Sequence, residues 1–300
     1  MTGNWELGVG VLGVRWGLGI GSALELGIWS LGFDAKIALL TSPILPRPLV
    51  YAHRGGAALR PENTLAAFDH GLTLGADGLE FDVHLSSDGV AVVHHDATLD
   101  RTTDATGPVA ARSAADLAGV DAGYRFAPAP DVFPYRGQGW GVPTLRQVLA
   151  RYPVPLIIEL KTADPALARV TVDEIRAARA IERVTVGSFS YRAVREIRRL
   201  EPRIATGAAR EETRWALYRS WVRWPVRDTA YREFQVPERA GGTTIVTPRF
   251  IDLAHGAGLT VKVWTVNERA DIDRLLGWGV DGIISDRPDI AVDAVKSRVW

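Results

Sequence analysis

A closed (β/α)8 barrel is the fold that this 300-residue sequence predicts. Three observations lead there. Eight short apolar runs with strand character lie between Leu49 and Ser285, stretches of helical periodicity separate most of them, and the length suits a fold that typically needs about 250 residues. Strands alternating with helices imply a parallel sheet, and eight strand positions favour closing it over leaving it open.

The strand runs are Leu49–Ala52, Gly78–Val83, Leu156–Lys161, Val184–Phe189, Ile204–Ala208, Phe234–Val236, Val261–Val266 and Gly282–Ser285. Helical spacing marks Thr64–Leu74, Thr144–Ala150, Pro165–Ala180, Tyr191–Leu200, Pro248–Ala257, Arg269–Leu276 and Asp289–Ser297. One further strand, Val90–His94, breaks this rhythm. Only Leu85-Ser86-Ser87-Asp88-Gly89 precede it, too few residues for a helical crossover, so it returns antiparallel as a hairpin at the barrel mouth. Residues 96–143 then form a small insertion near the mouth, with a short helix at Ser113–Leu117. A connection of that length in a compact enzyme usually serves as a lid or a binding element.

The chain divides into a domain at 46–300 and an unusual start at 1–45. Before Asp34 lie nine of the 30 glycines and three tryptophans, and Glu6-Leu7-Gly8-Val9 nearly recurs as Glu25-Leu26-Gly27-Ile28. This is a degenerate low-complexity repeat. It reads as a non-functional extension or as a weak membrane or signal element. Leu7 to Leu24 has the length of a span and Gly13, Gly17 and Gly21 have GxxxG spacing, but Arg15 sits in the middle. The first residues carry an acid and no Lys or Arg, unlike an export signal. A cytoplasmic location is the expectation, with membrane association or export as alternatives.

Lys plus Arg and Asp plus Glu both number 35, so the net charge is zero and no long-range field attracts nucleic acid. Without cysteine there are no disulfides, thiolate metal sites or cysteine nucleophiles. Any metal must be held by oxygen or imidazole.

In such a barrel the chemistry belongs at the C-terminal ends of the strands. The first strand ends in His53-Arg54-Gly55-Gly56, and a helix opens after Pro61-Glu62-Asn63-Thr64. Alternation puts Glu80 and Asp82 on one face of the second strand, and Glu159 and Lys161 on one face of the third barrel strand. Three acids converging on one mouth repel each other unless a cation intervenes. Glu80, Asp82 and Glu159 make an all-oxygen site, suited to one Mg²⁺ or Ca²⁺ rather than Zn²⁺. Arg54 and Lys161 beside it supply charge for an anionic phosphate. His53 and His95 are the proton donor and acceptor near neutral pH. In a hairpin centred near Ser87-Asp88, Asp82 pairs with roughly His94, which lands His95 close to the carboxylates.

These segments resemble the glycerophosphodiester phosphodiesterase family. HRGGAALRPENTLAAF, GADGLEFDVHLSSDG, VVHHDATLDRTT, IIELK, VKVWTVN and DGIISDRPD occur in that order and carry the resemblance over residues 49–292. It implies a TIM barrel and metal-dependent hydrolysis of glycerophosphodiesters to sn-glycerol 3-phosphate and an alcohol. It also implies His53 and His95 as the catalytic pair, Glu80, Asp82 and Glu159 as metal ligands, and Arg54 and Lys161 as phosphate contacts. Trp264 becomes a pocket wall under the glycerol. In VVHHD the histidine before the aspartate matches, so His94 is structural. The attacking group is water or the neighbouring glycerol hydroxyl.

Other residues have quieter expectations. His70 and His255 are surface or packing residues, and His84 sits near a substrate edge or is structural. Asn267 orients a loop, Asp286 ties the barrel closure or caps the next helix, and Ser188 and Gln235 end strands close to the pocket. Glu211–Phe234 carries Trp215, Tyr218, Trp221, Trp224 and Tyr231 among Arg210, Arg214, Arg219, Arg223 and Arg227. This is an outer helix with buried aromatics and snorkelling arginines, or a basic aromatic face for a membrane or lipid substrate. Rival functions are lysophospholipase D-type hydrolysis of lysophospholipids, a silent barrel that binds glycerol phosphates, and, last, a nucleic-acid phosphodiesterase, which lacks a basic groove.

Overall fold

The computed structural model describes residues 47–300, so the glycine-rich start at 1–45 lies outside the described residues. The strands are β1 (Leu49–His53), β2 (Gly78–Leu85), β3 (Ala91–Val93), β4 (Leu156–Leu160), β5 (Val184–Gly187), β6 (Ala205–Thr206), β7 (Glu233–Pro237), β8 (Arg239–Ala240), β9 (Thr243–Thr244), β10 (Thr260–Trp264) and β11 (Gly282–Ser285). The helices are α1 (Leu65–Thr73), α2 (Ala114–Ala118), α3 (Leu145–Arg151), α4 (Pro165–Ala177), α5 (Tyr191–Leu200), α6 (Arg210–Val222), α7 (Pro248–Gly256), α8 (Arg269–Trp278) and α9 (Pro288–Lys296).

The main sheet runs β6-β5-β4-β2-β1-β11-β10-β7. All seven of these pairings are parallel. Its two ends meet where Gly207 bridges Glu233 in parallel, supported by Arg232 N–H to Thr206 O and Ala208 N–H to Glu233 O, both 2.9 Å. The barrel predicted from strand count is therefore present, closed at its last seam by a short bridge. The predicted run Ile204–Ala208 yields only a two-residue β6, so that seam is thin.

Local chemistry explains the helix starts. Thr64 accepts from Ala67 N–H, Thr144 and Gln147 form a capping box, and Asp164 and Thr247 cap helices that continue with proline. The helix predicted at Pro165–Ala180 stops at Ala177, because Arg179 takes a left-handed backbone (φ 51°). Outward-facing strand residues such as Val50, Phe81, Ile158 and Phe234 pack with Phe68, Val172, Ile197 and Phe250 in the ring between sheet and helices. Each fully buried side chain of this size contributes about 1.5–3 kcal/mol.

As expected, β3 pairs antiparallel with β2, with His84 opposite Val92. The 96–143 insertion builds its own small core from Val92, Leu99, Val109, Leu117, Val120 and Val142. A short β8–β9 ribbon, turning through Gly241 and Gly242 in left-handed backbone, had no forecast in the sequence.

The outer-helix expectation for Glu211–Phe234 needs correction. Helix α6 ends at Val222, before a left-handed Arg223 (φ 56°), and of the five aromatics named for this stretch only Tyr231, beyond the helix, is buried. Trp215, Trp221 and Trp224 are 66%, 52% and 65% exposed. Helical periodicity set by Thr213, Ala216, Leu217 and Ser220 turns Trp215 and Trp221 outward, and Trp224 follows the end of the helix. Among the described residues no helix is long and apolar enough to cross a membrane.

Candidate active site

Strand alternation and register assemble the site. His53 on β1 pairs with Glu80 on β2, and Asp82 on β2 pairs with Glu159 on β4, so three adjacent strands aim these side chains into the barrel mouth. One carboxylate oxygen each from Glu80, Asp82 and Glu159 lies within 4.8 Å of the others. A cleft of about 530 Å³, counting space open to solvent, is lined by these three acids with His53, Arg54, His95, Lys161, Trp264 and neighbours. Every residue expected at the site from the sequence is brought together there.

The turn after β1 explains how Arg54 arrives. Arg54, Gly55 and Gly56 all have positive φ (52°, 88° and 100°), which folds the chain back over β2. Gly55 must be glycine, since a Cβ there would sit 2.6 Å from the Ala67 Cβ. The left-handed Arg54 costs about 1–2 kcal/mol. It is held by its N–H on Glu80 O (2.7 Å), by Nη1 on Glu62 Oε1 (3.0 Å) and by Nε 3.4 Å from Asp82 Oδ2. Lys161 Nζ reaches Asp82 Oδ1 at 3.2 Å and Glu159 Oε1 at 3.1 Å.

Each histidine has its own anchor. His53 Nδ1 lies 2.6 Å from Asp286 Oδ1, while Nε2 faces Glu80 Oε2 at 3.7 Å. His95 Nδ1 lies 2.6 Å from Asp96 Oδ1. With Nδ1 bound to a carboxylate, Nε2 of each ring is the atom left for chemistry. Burial disfavours charge on His53, but Glu80 and the Asp286 hydrogen bond outweigh it and raise its pKa. Burial lowers His95, and Arg54 and Lys161 lower it further. The two imidazoles are thus displaced in opposite directions.

The acids also separate. Burial, with Asp82 and Glu159 close by, pushes the Glu80 carboxyl up to about 8. Burial would raise Asp82 too, but Lys161 and Arg54 hold it below the ordinary carboxylate range. The two basic groups thus leave Glu80 short of a counter-charge, which fits a cation at the cluster. Asn63, left-handed at φ 58°, donates Nδ2 to Asp82 Oδ2 at 3.0 Å. Its Oδ1 is buried with no hydrogen-bond partner, a further neutral oxygen on the same amide. The donor set fits a hard divalent cation.

The sequence pattern of the glycerophosphoryl diester phosphodiesterase family matches residues 53–290. The chain belongs to that family. A glycerophosphodiester phosphodiesterase of Caldanaerobacter subterraneus subsp. tengcongensis is 30% identical over 83% of this chain and 98% of its own length. A solved glycerophosphodiester phosphodiesterase from Agrobacterium tumefaciens is similar with a TM-score of 0.64 and 29% identity, over 81% of this chain and 99% of its own. An Oleispira antarctica phosphodiesterase, solved in complex with the product sn-glycerol-3-phosphate, has a TM-score of 0.67 and 25% identity, over 83% of this chain and 97% of its own. The activity is accordingly that of a glycerophosphodiester phosphodiesterase.

Several residues of this phosphodiesterase site went unassigned or misassigned in the sequence. Asp286, expected to tie the barrel closure or cap the next helix, joins the end of the last strand to the end of the first by anchoring His53, a role the sequence did not suggest; it does not cap α9, whose N-cap is Arg287, with no side-chain cap. Asn267 steers that anchor: its Oδ1 accepts from Ser285 Oγ and Asp286 N–H, and its Nδ2 donates to Asp286 Oδ2. Arg101, from the insertion, bonds both oxygens of Glu62 at 2.7 Å and Asp96 Oδ2 at 2.6 Å. It thereby ties the partner of Arg54 to the partner of His95. The one available signal was Asp96 following His95 directly. His84 is buried, with Nε2 3.1 Å from His95 O, so it braces the backbone of His95. His94 is likewise buried and bonded to Asp96 O and Thr102, facing away from the cavity as expected. Ser188 is bound to Leu160 O. Gln235 fills space left by Gly187 and Gly207 and lines the cavity. His70 is partly buried outside the site, and His255 pairs with Asp281 at the surface.

Proposed function

We propose that this enzyme hydrolyses glycerophosphodiesters to sn-glycerol 3-phosphate and an alcohol, by histidine acid/base catalysis beside one divalent cation, Mg²⁺ or Ca²⁺. One observation carries the reading: two histidines, each fixed at Nδ1 by its own carboxylate, line one cavity with three clustered acids and two basic side chains. The product in the Oleispira antarctica relative supports the same product here.

Glu80, Asp82 and Glu159 would hold the cation, which supplies charge neutralisation for the phosphodiester when bound. Arg54 and Lys161 take up the negative charge that grows on the equatorial oxygens. One imidazole Nε2 removes the proton of the attacking hydroxyl, from water, which gives glycerol 3-phosphate directly, or from the adjacent glycerol carbon, which gives a cyclic phosphate that a water then opens to glycerol 3-phosphate. The other delivers a proton to the departing alkoxide. Asp96 and Asp286 keep both Nε2 atoms aimed and stabilise each imidazolium as it forms. Trp264, set edge-to-face on Phe189 at 5.8 Å, forms an apolar wall for the glycerol.

The test is divalent-dependent release of glycerol 3-phosphate from glycerophosphocholine by the wild type, His53→Ala and Glu80→Ala. Loss of about 100-fold or more in both variants is expected. Equal rates in all three would overturn the assignment.

A further inference from the structure

The outward face of α6 lies outside the cleft that holds the acids and histidines. The helix buries Thr213, Ala216, Leu217 and Ser220. Opposite them, at spacings of three and four residues, Trp215, Tyr218 and Val222 form one stripe, with Arg214 and Trp221 along its edge. Trp224 and Pro225, both exposed, carry it past the helix end. Nine large hydrophobic side chains are exposed among the described residues, and four of them, Trp215, Trp221, Val222 and Trp224, fall within this one short segment. Apolar surface gathered in this way marks a binding face.

Positive charge is interleaved with it. Residues 210–232 hold six arginines and three acids, in a chain of zero net charge. Of those acids, Glu212 is taken by Arg198, with Nη1 2.7 Å from Oε1. Among the described residues no carboxylate pairs with Arg214, Arg223 or Arg227. Neighbouring helices extend the pattern at both ends. Tyr191 and Arg192 share a cleft with Glu211 and Trp215, and Arg249 and Asp252 share one with Arg223 and Pro225.

We propose that this face docks on the surface of an anionic phospholipid bilayer, with the tryptophan rings at headgroup level and the arginines on lipid phosphates. The proposal is independent of the phosphodiesterase reading above. Charge complementarity selects the occupant. A tryptophan has an apolar body and a single polar N–H, which suits the headgroup region, and the guanidinium fork matches a phosphate. A second copy of the chain would set arginines against arginines across a symmetric contact. A single-stranded nucleic acid needs open ring faces to stack on, whereas Trp215 and Tyr218 meet at 90° and Tyr218 and Trp221 at 57°.

The experiment mixes the full chain with sucrose-loaded vesicles, either of phosphatidylglycerol and phosphatidylcholine in equal parts or of phosphatidylcholine alone, and reads the bound fraction by sedimentation. One arginine near an anionic surface is worth about fivefold in affinity. Arg214, Arg223 and Arg227 together therefore give about a hundredfold preference for the anionic vesicles at low salt, which shrinks as salt screens the charges. Arg214→Gln with Arg223→Gln is expected to weaken binding to those vesicles about 25-fold. Trp215→Ser with Trp221→Ser is expected to weaken it about a hundredfold, for burial of roughly 60 Å² per ring. These positions are exposed, so thermal unfolding of the variants stays near that of the wild type. Trp224→Ser, beyond the helix, supplies an independent arm with about a tenfold loss expected, should a double variant fail to fold. Absence of sedimentation with either vesicle, or equal binding to both, would overturn the proposal. Binding untouched by the tryptophan and arginine changes would place the contact elsewhere in the chain and overturn it too. Self-association that Trp215→Ser abolishes, without vesicle binding by the wild type, would give the face to a second copy instead.

Discussion

Replacing Asp286 by Asn changes one atom and should disable His53 whichever way that ring moves its proton. The reason lies in Asn267. Its Oδ1 already accepts from Ser285 Oγ (3.0 Å) and Asp286 N–H (2.9 Å), so its Nδ2 must be the group that donates to Asp286 Oδ2 (3.0 Å). In Asp286→Asn the amide oxygen therefore stays towards Asn267, and the amide nitrogen replaces Oδ1 2.6 Å from His53 Nδ1. A donor facing Nδ1 forces the proton onto Nε2. As a base the ring then has no free lone pair at the reacting atom. As an acid it has no imidazolium to draw on, because protonating both nitrogens would set two donors against each other. The expected loss in kcat/KM is about 10²–10⁴-fold, the usual worth of a positioned acid or base, or about 2.7–5.4 kcal/mol of transition-state stabilisation. The assay is glycerol 3-phosphate release, with thermal unfolding as a check on integrity. His53→Ala should lose a similar factor, and the double variant should lose no more than His53→Ala alone, since the two act as a unit. Activity of Asp286→Asn within threefold of wild type, or losses that multiply in the double variant, would refute the tautomer reasoning.

Three further outcomes follow from the same geometry. Asn63→Gly keeps the left-handed backbone and deletes the hydrogen bond to Asp82 Oδ2; calorimetric titration should show cation affinity about 10–100-fold weaker, the usual cost of losing an outer partner, and an unchanged affinity would count against Asp82 as a ligand. Because the metal-free Glu80 carboxyl is pushed up to about 8, a cation must displace its proton at lower pH. Affinity should therefore fall about tenfold per unit below pH 8 and level off above it, whereas equal affinities at pH 6.5 and 8 would contradict the shift. Arg101→Met should cut kcat by about tenfold or more by releasing Glu62 and Asp96. Arg101 is half-exposed, so stability should move by only about 1 kcal/mol or less; equal losses of activity and stability would mean the arginine merely holds the insertion in place.

Much of this protein was legible in order along the chain. Strand alternation is a local property, so Glu80 with Asp82, and Glu159 with the following Lys161, declared a shared face before any tertiary contact was known. A hairpin too short for a helix carried His95 to the carboxylates for the same reason, and the observed pairing of β2 with β3 agrees. The sequence also put His53 and Arg54 at the end of the first strand, and the structure places them there, in a turn where Gly55 and Gly56 take positive φ.

What the chain could not declare were partners distant in sequence and chemically interchangeable with surface residues. Asp286 lies 233 positions from His53, and nothing local separates a helix-capping aspartate from one that anchors an imidazole. Arg101 lies 39 positions from Glu62 and looks like any exposed arginine. The fate of the α6 aromatics was open for a related reason. A run of Trp, Tyr and Arg satisfies either an inward or an outward face, and only the positions of Ala216 and Leu217 against the neighbouring elements turn Trp215 and Trp221 to solvent. Local sequence sets backbone period and handedness because those depend on steric contacts a few residues long. The pairing of charges and the side on which an aromatic face ends up depend on the assembled barrel, in which the first and last strands lie side by side.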